Sequence, residues 1–168
     1  MKHLLFSLSV LVSISMFGQD KFEITEEGLT PKSITISSDA SDTYTKALQW
    51  LEANTENYDI TIAETIENET IQFTSTKGNA TSLDKQYFNA KYSITMTFTA
   101  DQYTFRPTAI DLKQNSKYDM GWKPFDLNNA NPYFKKGKPI RKYRAYLSGI
   151  TTPLNTLYIQ LTNALKNN

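Results

Sequence analysis

The sequence predicts an α+β fold in which helices cover one face of an antiparallel sheet. Apolar and polar residues alternate over several stretches in the middle of the chain, with the period of half-buried strands. Stretches on either side carry apolar residues at helical spacing. The resulting order is one strand, one helix, four strands and one helix. Consecutive antiparallel strands with one apolar face need a cover, and two amphipathic helices supply it.

The first elements are two extended stretches and a helix. Residues 21–26 and 32–36 are predicted to be extended, and in the second Ile34 and Ile36 alternate with polar residues. A helix of about thirteen residues follows, after N-cap candidates that include Asp42. Its apolar stripe, at i, i+3, i+4 and i+7, consists of Tyr44, Ala47, Leu48 and Leu51.

A hairpin is predicted after residue 57, where the apolar period changes from helical to two. Its turn is Glu67-Asn68-Glu69, and the return strand contains Ile71 and Phe73. A polar loop is predicted from about residue 77 to residue 85. On the outgoing strand, one face is predicted to carry Tyr58, Ile60, Ile62 and Ile66, and the other Thr61, Ala63 and Thr65.

The clearest predicted strand covers residues 90–99, where Tyr92, Ile94, Met96 and Phe98 alternate with small polar residues. It turns at 100–102 into a second strand over 103–113. In that second strand the apolar phase slips at Arg106-Pro107. Since proline cannot donate to a strand ladder, we expect a bulged or edge position there.

The last third of the chain is predicted to contain an irregular segment and two helices. Residues 114–137 mix Asn, Asp and Gly with aromatic residues and are expected to be irregular. Pro139 is expected to open a helix that Gly149 closes. Thr152-Pro153 is a suitable N-cap and first-turn pair for a final helix that runs to Leu165.

These elements resemble a known family. The helix around Ala47-Leu48-Gln49-Trp50-Leu51, the 60–73 hairpin, the 92–98 strand and Asp101 to Arg106 are similar to domain-of-unknown-function family 4468 (DUF4468), a family of exported bacterial proteins. The resemblance covers about residues 30–113, which leaves a C-terminal helical extension. It implies a TBP-like β-α-β4-α fold with a curved antiparallel sheet and helices on one face, and it carries over no catalytic residue. The 67–69 turn lacks the glycine that the family pattern leads us to expect.

The N-terminus has the pattern of a bacterial secretory signal. Lys2 and His3 precede an uncharged stretch over 4–17, and small and polar residues follow at 18–20. We therefore expect residues 1–19 to be removed, leaving a single α+β domain over 20–168 that is exported and periplasmic or secreted. Cleavage would also remove the single histidine. No later segment is apolar enough to span a membrane, and there is no cysteine for a lipid anchor.

Composition restricts the chemistry. The chain has no cysteine, which excludes disulfides, and the mature chain has no His or Cys ligands for a metal. Only an all-oxygen site for calcium or magnesium could form, and the typical calcium-loop spacing of Asp and Asn is absent, so we expect no metal and no cofactor. Charge is distributed unevenly along the chain: residues 20–76 hold 12 acidic and 3 basic side chains, and residues 77–168 hold 5 acidic and 14 basic ones. This pattern predicts a polarised surface, unless the two halves interleave in the fold and neutralise each other.

The basic segment, residues 135–144, is the main candidate binding site. On a helix, its basic residues would frame Tyr143 and Tyr146, a combination that suits phosphate-bearing partners. In an exported protein these would be anionic lipid headgroups or lipopolysaccharide, and no nucleic acid partner is expected. The alternative is a solvated helix face. The candidate residues are Lys138, Arg141, Lys142 and Arg144.

Two further binding candidates lie outside that segment. Trp122, flanked by Asp119 and Asp126, has the character of a sugar platform, and Arg106 borders a threonine-rich sheet face. That face is expected to contain Thr61, Thr65, Thr95, Thr97 and Thr104.

We therefore expect a non-catalytic binding or interaction module of the cell envelope, whose partner is another envelope protein or an anionic envelope component. The alternative is a carboxylate-dependent hydrolase of envelope glycans, which needs two carboxylates about 5–10 Å apart. The aspartates that could form such a pair are Asp111, Asp119 and Asp126. The alternative interpretation of these residues is that they cap loops. No serine lies in a recognisable nucleophile elbow of the sequence.

Overall fold

A computed structural model describes residues 21–38, 42–118 and 120–166. The predicted signal sequence lies outside them. The strands are β1 (Glu23–Thr25), β2 (Gly28–Thr30), β3 (Ile34–Ser37), β4 (Ile60–Ile66), β5 (Thr70–Leu83), β6 (Gln86–Phe98), β7 (Gln102–Gln114), β8 (Lys123–Pro124), β9 (Phe134–Lys135) and β10 (Lys138–Pro139). The α-helices are α1 (Thr43–Ala53), α2 (Thr55–Tyr58) and α3 (Arg144–Lys166), and 3-10 turns cover Asn131–Tyr133 and Arg141–Tyr143.

The main sheet is antiparallel and curved, with strand order β3–β7–β6–β5–β4. β8 adds a short pairing to β7. The sequence β3–α1–β4–β5–β6–β7–α3 is the predicted order of one strand, one helix, four strands and one helix, so the predicted α+β fold is confirmed. Two small hairpins, β1–β2 and β9–β10, lie outside the main sheet.

The core lies between α3 and α1 on one side and a single face of the sheet on the other. Phe73, Met96 and Phe105 from the sheet and Ala47 and Leu51 from α1 are almost fully buried. Two hydroxyl groups tie the sheet to α3. The Tyr92 hydroxyl donates to the Ile150 carbonyl at 2.8 Å, and the Thr81 hydroxyl donates to the Tyr146 carbonyl at 2.7 Å. The opposite face carries the alternating polar side chains.

A bulge in β4 corrects the predicted arrangement of faces. The ladder between β4 and β5 shifts between Ile62 and Glu64. Thr65 then lies opposite Ile71 on the core side, and Ile66 lies on the open side with 47% of its side chain exposed. The predicted faces of these two residues were therefore wrong, because a bulge reverses every later position on the strand. Tyr58, expected on the strand, lies in α2.

The polar loop predicted over 77–85 is instead strand. β5 continues to Leu83 and pairs with β6 around a two-residue turn. Asp84 and Lys85 have φ values of 50° and 66°, as a type I′ turn requires. The hydrophobic period fails here because the ladder shifts between Lys77 and Thr81. The 67–69 turn is confirmed, and Asn68, at φ 58°, takes the left-handed conformation usually given to glycine.

The register slip predicted at Arg106-Pro107 is confirmed. Ser93 pairs with Ala109 and Ile94 with Pro107, which leaves Thr108 as the extra residue. On the other side of β7, the β3 ladder stops at Phe105 and the β8 pairing starts at Asp111. Pro107 therefore lies at a bulge where β7 has no partner strand on its outer side, a position at which proline is tolerated.

The prediction of two C-terminal helices was wrong, because a single helix, α3, covers most of this region. α3 is continuous from Arg144 to Lys166, with Pro153 inside it. A proline in a helix costs about 3 kcal/mol, whereas each buried Leu or Ile contributes about 1.5–3 kcal/mol. The buried face of α3 runs on both sides of Pro153 and outweighs that cost. Gly149 does not end the helix. Its lack of a side chain instead leaves room for Thr81 and Ala80, which contact α3 at this point.

The N-terminal segment is held against α3. Phe22 is fully buried and packs against Phe105 and Tyr158, with ring centroids 5.9 and 5.7 Å away. The Asn155 side chain binds both backbone groups of Phe22, at 2.8 Å to its N–H and 2.9 Å to its carbonyl. These two hydrogen bonds hold the start of the β1–β2 hairpin against α3.

Candidate functional site

The basic segment (residues 135–144) forms a small hairpin and a 3-10 turn. The helix predicted to start at Pro139 is not present, because Pro139 pairs with Phe134 in the β9–β10 hairpin. The turn residues Lys136 and Gly137 both have positive φ, 52° and 74°, which closes a two-residue hairpin. The α-helix begins only at Arg144.

Hydrogen bonds and aromatic contacts hold this segment in place. The Gly137 N–H donates to the Glu26 carboxylate at 3.0 Å, and the Ile140 N–H donates to the Tyr133 carbonyl at 2.9 Å. The Tyr143 ring meets the Tyr133 ring edge-on, with centroids 5.1 Å apart. The segment therefore presents its cations from a defined backbone.

The four predicted binding residues lie on three consecutive elements. Lys138 is on β10, Arg141 and Lys142 are on the 3-10 turn, and Arg144 is the first residue of α3. All four are exposed. Lys138 lies directly opposite Lys135 in the hairpin, which places two like charges side by side. The structure thus keeps these cations close along the chain, although not on one helix face.

Within the described residues, none of the six cations of the basic segment forms an ion pair. The ion pairs there join Lys46 to Asp42 and Lys91 to Asp111. Lys142 instead lies over the Tyr143 ring, with Nζ 4.5 Å from the centroid. Its pKa is raised above the usual value, mainly by hydrogen bonding to Tyr143 and with a smaller contribution from Asp84. Lys142 is therefore fully charged at neutral pH.

The position of these cations is electrostatically unfavourable without a partner. Arg144 begins α3, and Arg141 and Lys142 lie in the turn directly before it, where the helix dipole is positive. Acidic residues usually occupy the first turn of a helix, but the first turn of α3 has none. A bound anion at this end would relieve both the mutual repulsion of the cations and their repulsion by the dipole.

Trp122 and Arg106 lie apart from one another. Trp122 is 38% exposed, and Lys91 Nζ lies 5.0 Å from its ring centroid. Arg106 pairs with Thr95 in the ladder, four residues along β6 from Lys91. Four residues of strand span about 13 Å, so these two side chains do not form one compact site.

Arg106 borders an open groove of about 610 Å³ where β7 lacks a partner strand. Lys32, Thr108 and Asp126 also line it. The Lys32 ammonium group donates to the Glu27 and Leu127 carbonyls. These hydrogen bonds hold the Lys32 side chain in place at the groove.

The aspartates proposed for glycan hydrolysis have structural partners where they are described. One carboxylate oxygen of Asp126 accepts from the Asn128 and Asn129 N–H groups at 2.8 and 3.2 Å, so Asp126 caps a loop. Asp111 is 3.6 Å from Lys91, and it does not line the groove that contains Asp126. Asp119 lies outside the described residues. Asp111 and Asp126 therefore both have structural partners in the described part of the chain.

Two other kinds of feature are absent from the described residues. They contain no group of three or more His, Cys, Asp or Glu side chains arranged to hold a metal ion. In the same part of the chain, no helix has the length and apolar character to cross a membrane.

The fold places the chain among α+β proteins of the TBP-like class. It is similar to the crystal structure of a TBP-like protein from Parabacteroides distasonis, with a TM-score of 0.52 and 14% identity over 80% of this chain and 91% of the other. It is also similar to a DUF4468 family protein from Bacteroides ovatus, with a TM-score of 0.60 and 11% identity over 85% of this chain and 89% of the other.

These likenesses confirm the predicted TBP-like fold, and the second supports the resemblance to DUF4468 found in the sequence. At such low identity they show the fold alone. No model of a protein family matches the chain. A search of curated proteins also gives no match.

The sequence did not reveal that the hairpin turn at Asp84-Lys85 lies near the basic segment. Asp84 is close enough to Lys142 to influence its pKa. The signal was present in the sequence, since the polar pair Asp84-Lys85 directly follows Leu83 and suits a tight turn. The shift of register before Thr81 concealed it.

Proposed function

We propose that the protein is a non-catalytic binding module of the cell envelope, and that its basic segment binds an anionic, phosphate-bearing component. One observation carries the proposal: six cations without ion pairs among the described residues lie on the hairpin and turn that lead into the N-terminus of α3. Cation clusters of this kind attract phosphate groups, and each Lys or Arg near an anionic surface contributes about 1 kcal/mol.

The compartment is part of the same proposal. The signal-like N-terminus supports export to the periplasm or beyond, where phosphate-bearing lipids and lipopolysaccharide are abundant and nucleic acid is scarce. Fractionation of cells and N-terminal sequencing of the recovered protein test this directly. We expect a mature chain that begins close to residue 20. Full-length protein in the cytoplasm would contradict export.

Cross-linking in the native envelope tests the binding role. A photoreactive amino acid at Lys138 should give cross-links to an envelope component under ultraviolet light. The same amino acid at Gln49, exposed on α1, is the matched control and should give none. Equal labelling from both positions would show that the basic segment has no special role.

A further inference from the structure

Most of the large exposed apolar side chains belong to one part of the sheet and its neighbouring loop. The large exposed apolar side chains of the described residues are Ile66, Tyr87, Tyr118, Met120 and Trp122. Ile66 is on the outer strand β4. The other four come from the start of β6 and from the segment between β7 and β8. The Asn115 N–H donates to the Tyr87 carbonyl at 2.8 Å, which joins these two parts of the chain.

This apolar corner (Tyr87, Met120 and Trp122) adjoins the basic segment through a series of contacts. Met120 lines a cavity of about 210 Å³ together with Tyr133 and Tyr146. Tyr133 in turn contacts Tyr143, the residue that lies beneath Lys142. The apolar corner therefore meets the basic segment through Met120, whereas Tyr87 lies on the opposite face of β6 from Phe88, which lines this cavity.

Further cations border the apolar corner. Lys85 lies at the β5–β6 turn, and Lys123 lines the same cavity as Met120. Among the described residues, Asp84 lies near Lys142 and Asp111 is paired with Lys91. Asp119, next to Met120 in the sequence, lies outside the described residues. Lys85, Lys123 and the cations of the basic segment therefore place several positive charges beside the apolar corner.

We propose that the anionic component is a lipid bilayer surface, and that the apolar corner enters its headgroup region while the basic segment contacts lipid phosphates. This inference rests on the proposed function. Trp and Tyr favour the boundary between water and hydrocarbon. Stable but reversible membrane attachment needs both an apolar and an electrostatic contribution, and this surface supplies both. A glycan platform fits less well, because Lys91 already covers one face of the Trp122 ring.

Vesicle binding by the mature chain tests this inference. A Trp50→Phe background leaves Trp122 as the reporter, since the chain has 2 tryptophans. Vesicles of phosphatidylcholine with phosphatidylglycerol should bind the protein and shift the Trp122 emission to shorter wavelength. Vesicles of phosphatidylcholine alone should do neither.

Two matched variants separate insertion from simple charge attraction. Met120→Ser should weaken vesicle binding about tenfold, because it removes apolar area from the lipid interface. Ile66→Ser is the control, since Ile66 and Met120 are both 47% exposed, and it should bind like the parent. Circular dichroism of each variant checks that the fold is kept.

The outcomes distinguish this inference from the proposed function. If Arg141→Gln, Lys142→Gln and Arg144→Gln together abolish vesicle binding, but Met120→Ser has no effect and Trp122 emission does not shift, lipid insertion is overturned and anion binding stands. The same conclusion follows if the protein binds soluble polyphosphate through these three residues but ignores vesicles. If it binds neither probe, both proposals fail.

Discussion

Three tyrosine hydroxyl groups lie inside the core, where the phenolate form is poorly solvated. Burial raises the pKa values of Tyr92 and Tyr146 far above 10, and it also raises the pKa of Tyr103, with part of that effect offset by the nearby Thr162 hydroxyl. In the unfolded chain these groups ionise near pH 10. Above that pH the folded state holds protons that the unfolded state has lost, so stability is present below pH 10 and falls above it.

We therefore expect the free energy of unfolding to decrease above pH 10, by up to about 1.4 kcal/mol per pH unit for each of Tyr92 and Tyr146. Urea titrations between pH 8 and pH 11 measure it. Tyr92→Phe should make the slope shallower. A stability that stays constant to pH 11 would contradict the burial of these hydroxyl groups.

Gly149 is a point of close contact between α3 and β5. A Cβ atom built there would lie 2.5 Å from Thr81 Oγ1 and 2.9 Å from the Ala80 carbonyl oxygen. We expect Gly149→Ala to destabilise the protein by about 1–3 kcal/mol, although alanine favours helix by about 1 kcal/mol. Chemical denaturation measures the change. Gln160→Ala, on the exposed side of the same helix, is the control and should change stability by less than about 0.5 kcal/mol.

Individual residues were predictable where their roles are local. Asp126 caps its loop, as its residue type and position indicate, and Asn68 replaces the missing glycine because asparagine tolerates a left-handed backbone. The face of Thr65 was not predictable, because the bulge before it depends on pairing with β5.

At the scale of elements, the strands were predicted better than their ends. Alternation located β6 and β7, but the sequence concealed the length of the β5–β6 hairpin, because a ladder irregularity between Lys77 and Thr81 interrupts the pattern. The continuity of α3 was also concealed. Pro153 indicates a helix start locally, and only the packing of the helix on the sheet shows that the helix passes through it.

The N-terminal hairpin depends on one side chain. Asn155 holds both backbone groups of the buried Phe22. We expect Asn155→Ala to destabilise this element by about 2 kcal/mol, since it leaves buried backbone groups without partners. Hydrogen exchange should become faster over residues 22–30 before it changes in β6. If hydrogen exchange became faster uniformly over the chain, or did not change at all, a local role of the Asn155–Phe22 hydrogen bonds would be contradicted.

The 67–69 turn offers a test of backbone conformation. Asn68 has φ 58°, which β-branched residues strongly disfavour. We expect Asn68→Val to cost about 1–2 kcal/mol and Asn68→Gly to be tolerated. Thermal or urea unfolding distinguishes the two. If valine were tolerated as well as glycine, the turn would have another conformation.

At the scale of the whole molecule, the two ion pairs found in the described part of the chain each lie within one half of the sequence, Asp42 with Lys46 and Lys91 with Asp111. The two halves nevertheless meet, since the Glu26 carboxylate accepts from the Gly137 N–H in the basic segment. A polarised surface therefore stays a prediction from the order of charges. The proximity of Met120 to the basic segment depends on tertiary contacts, and the order of charges does not predict it.

The central claim is that the basic segment binds anions, and calorimetric titration with soluble polyphosphate tests it most directly. The variant with Arg141, Lys142 and Arg144 changed to glutamine should bind about a hundredfold more weakly than the parent. The control variant changes Lys46, Lys77 and Lys166 to glutamine and removes the same number of positive charges. These residues lie on α1, on β5 and at the far end of α3. It should retain most of the affinity. Equal weakening in both variants, or in neither, would contradict the account.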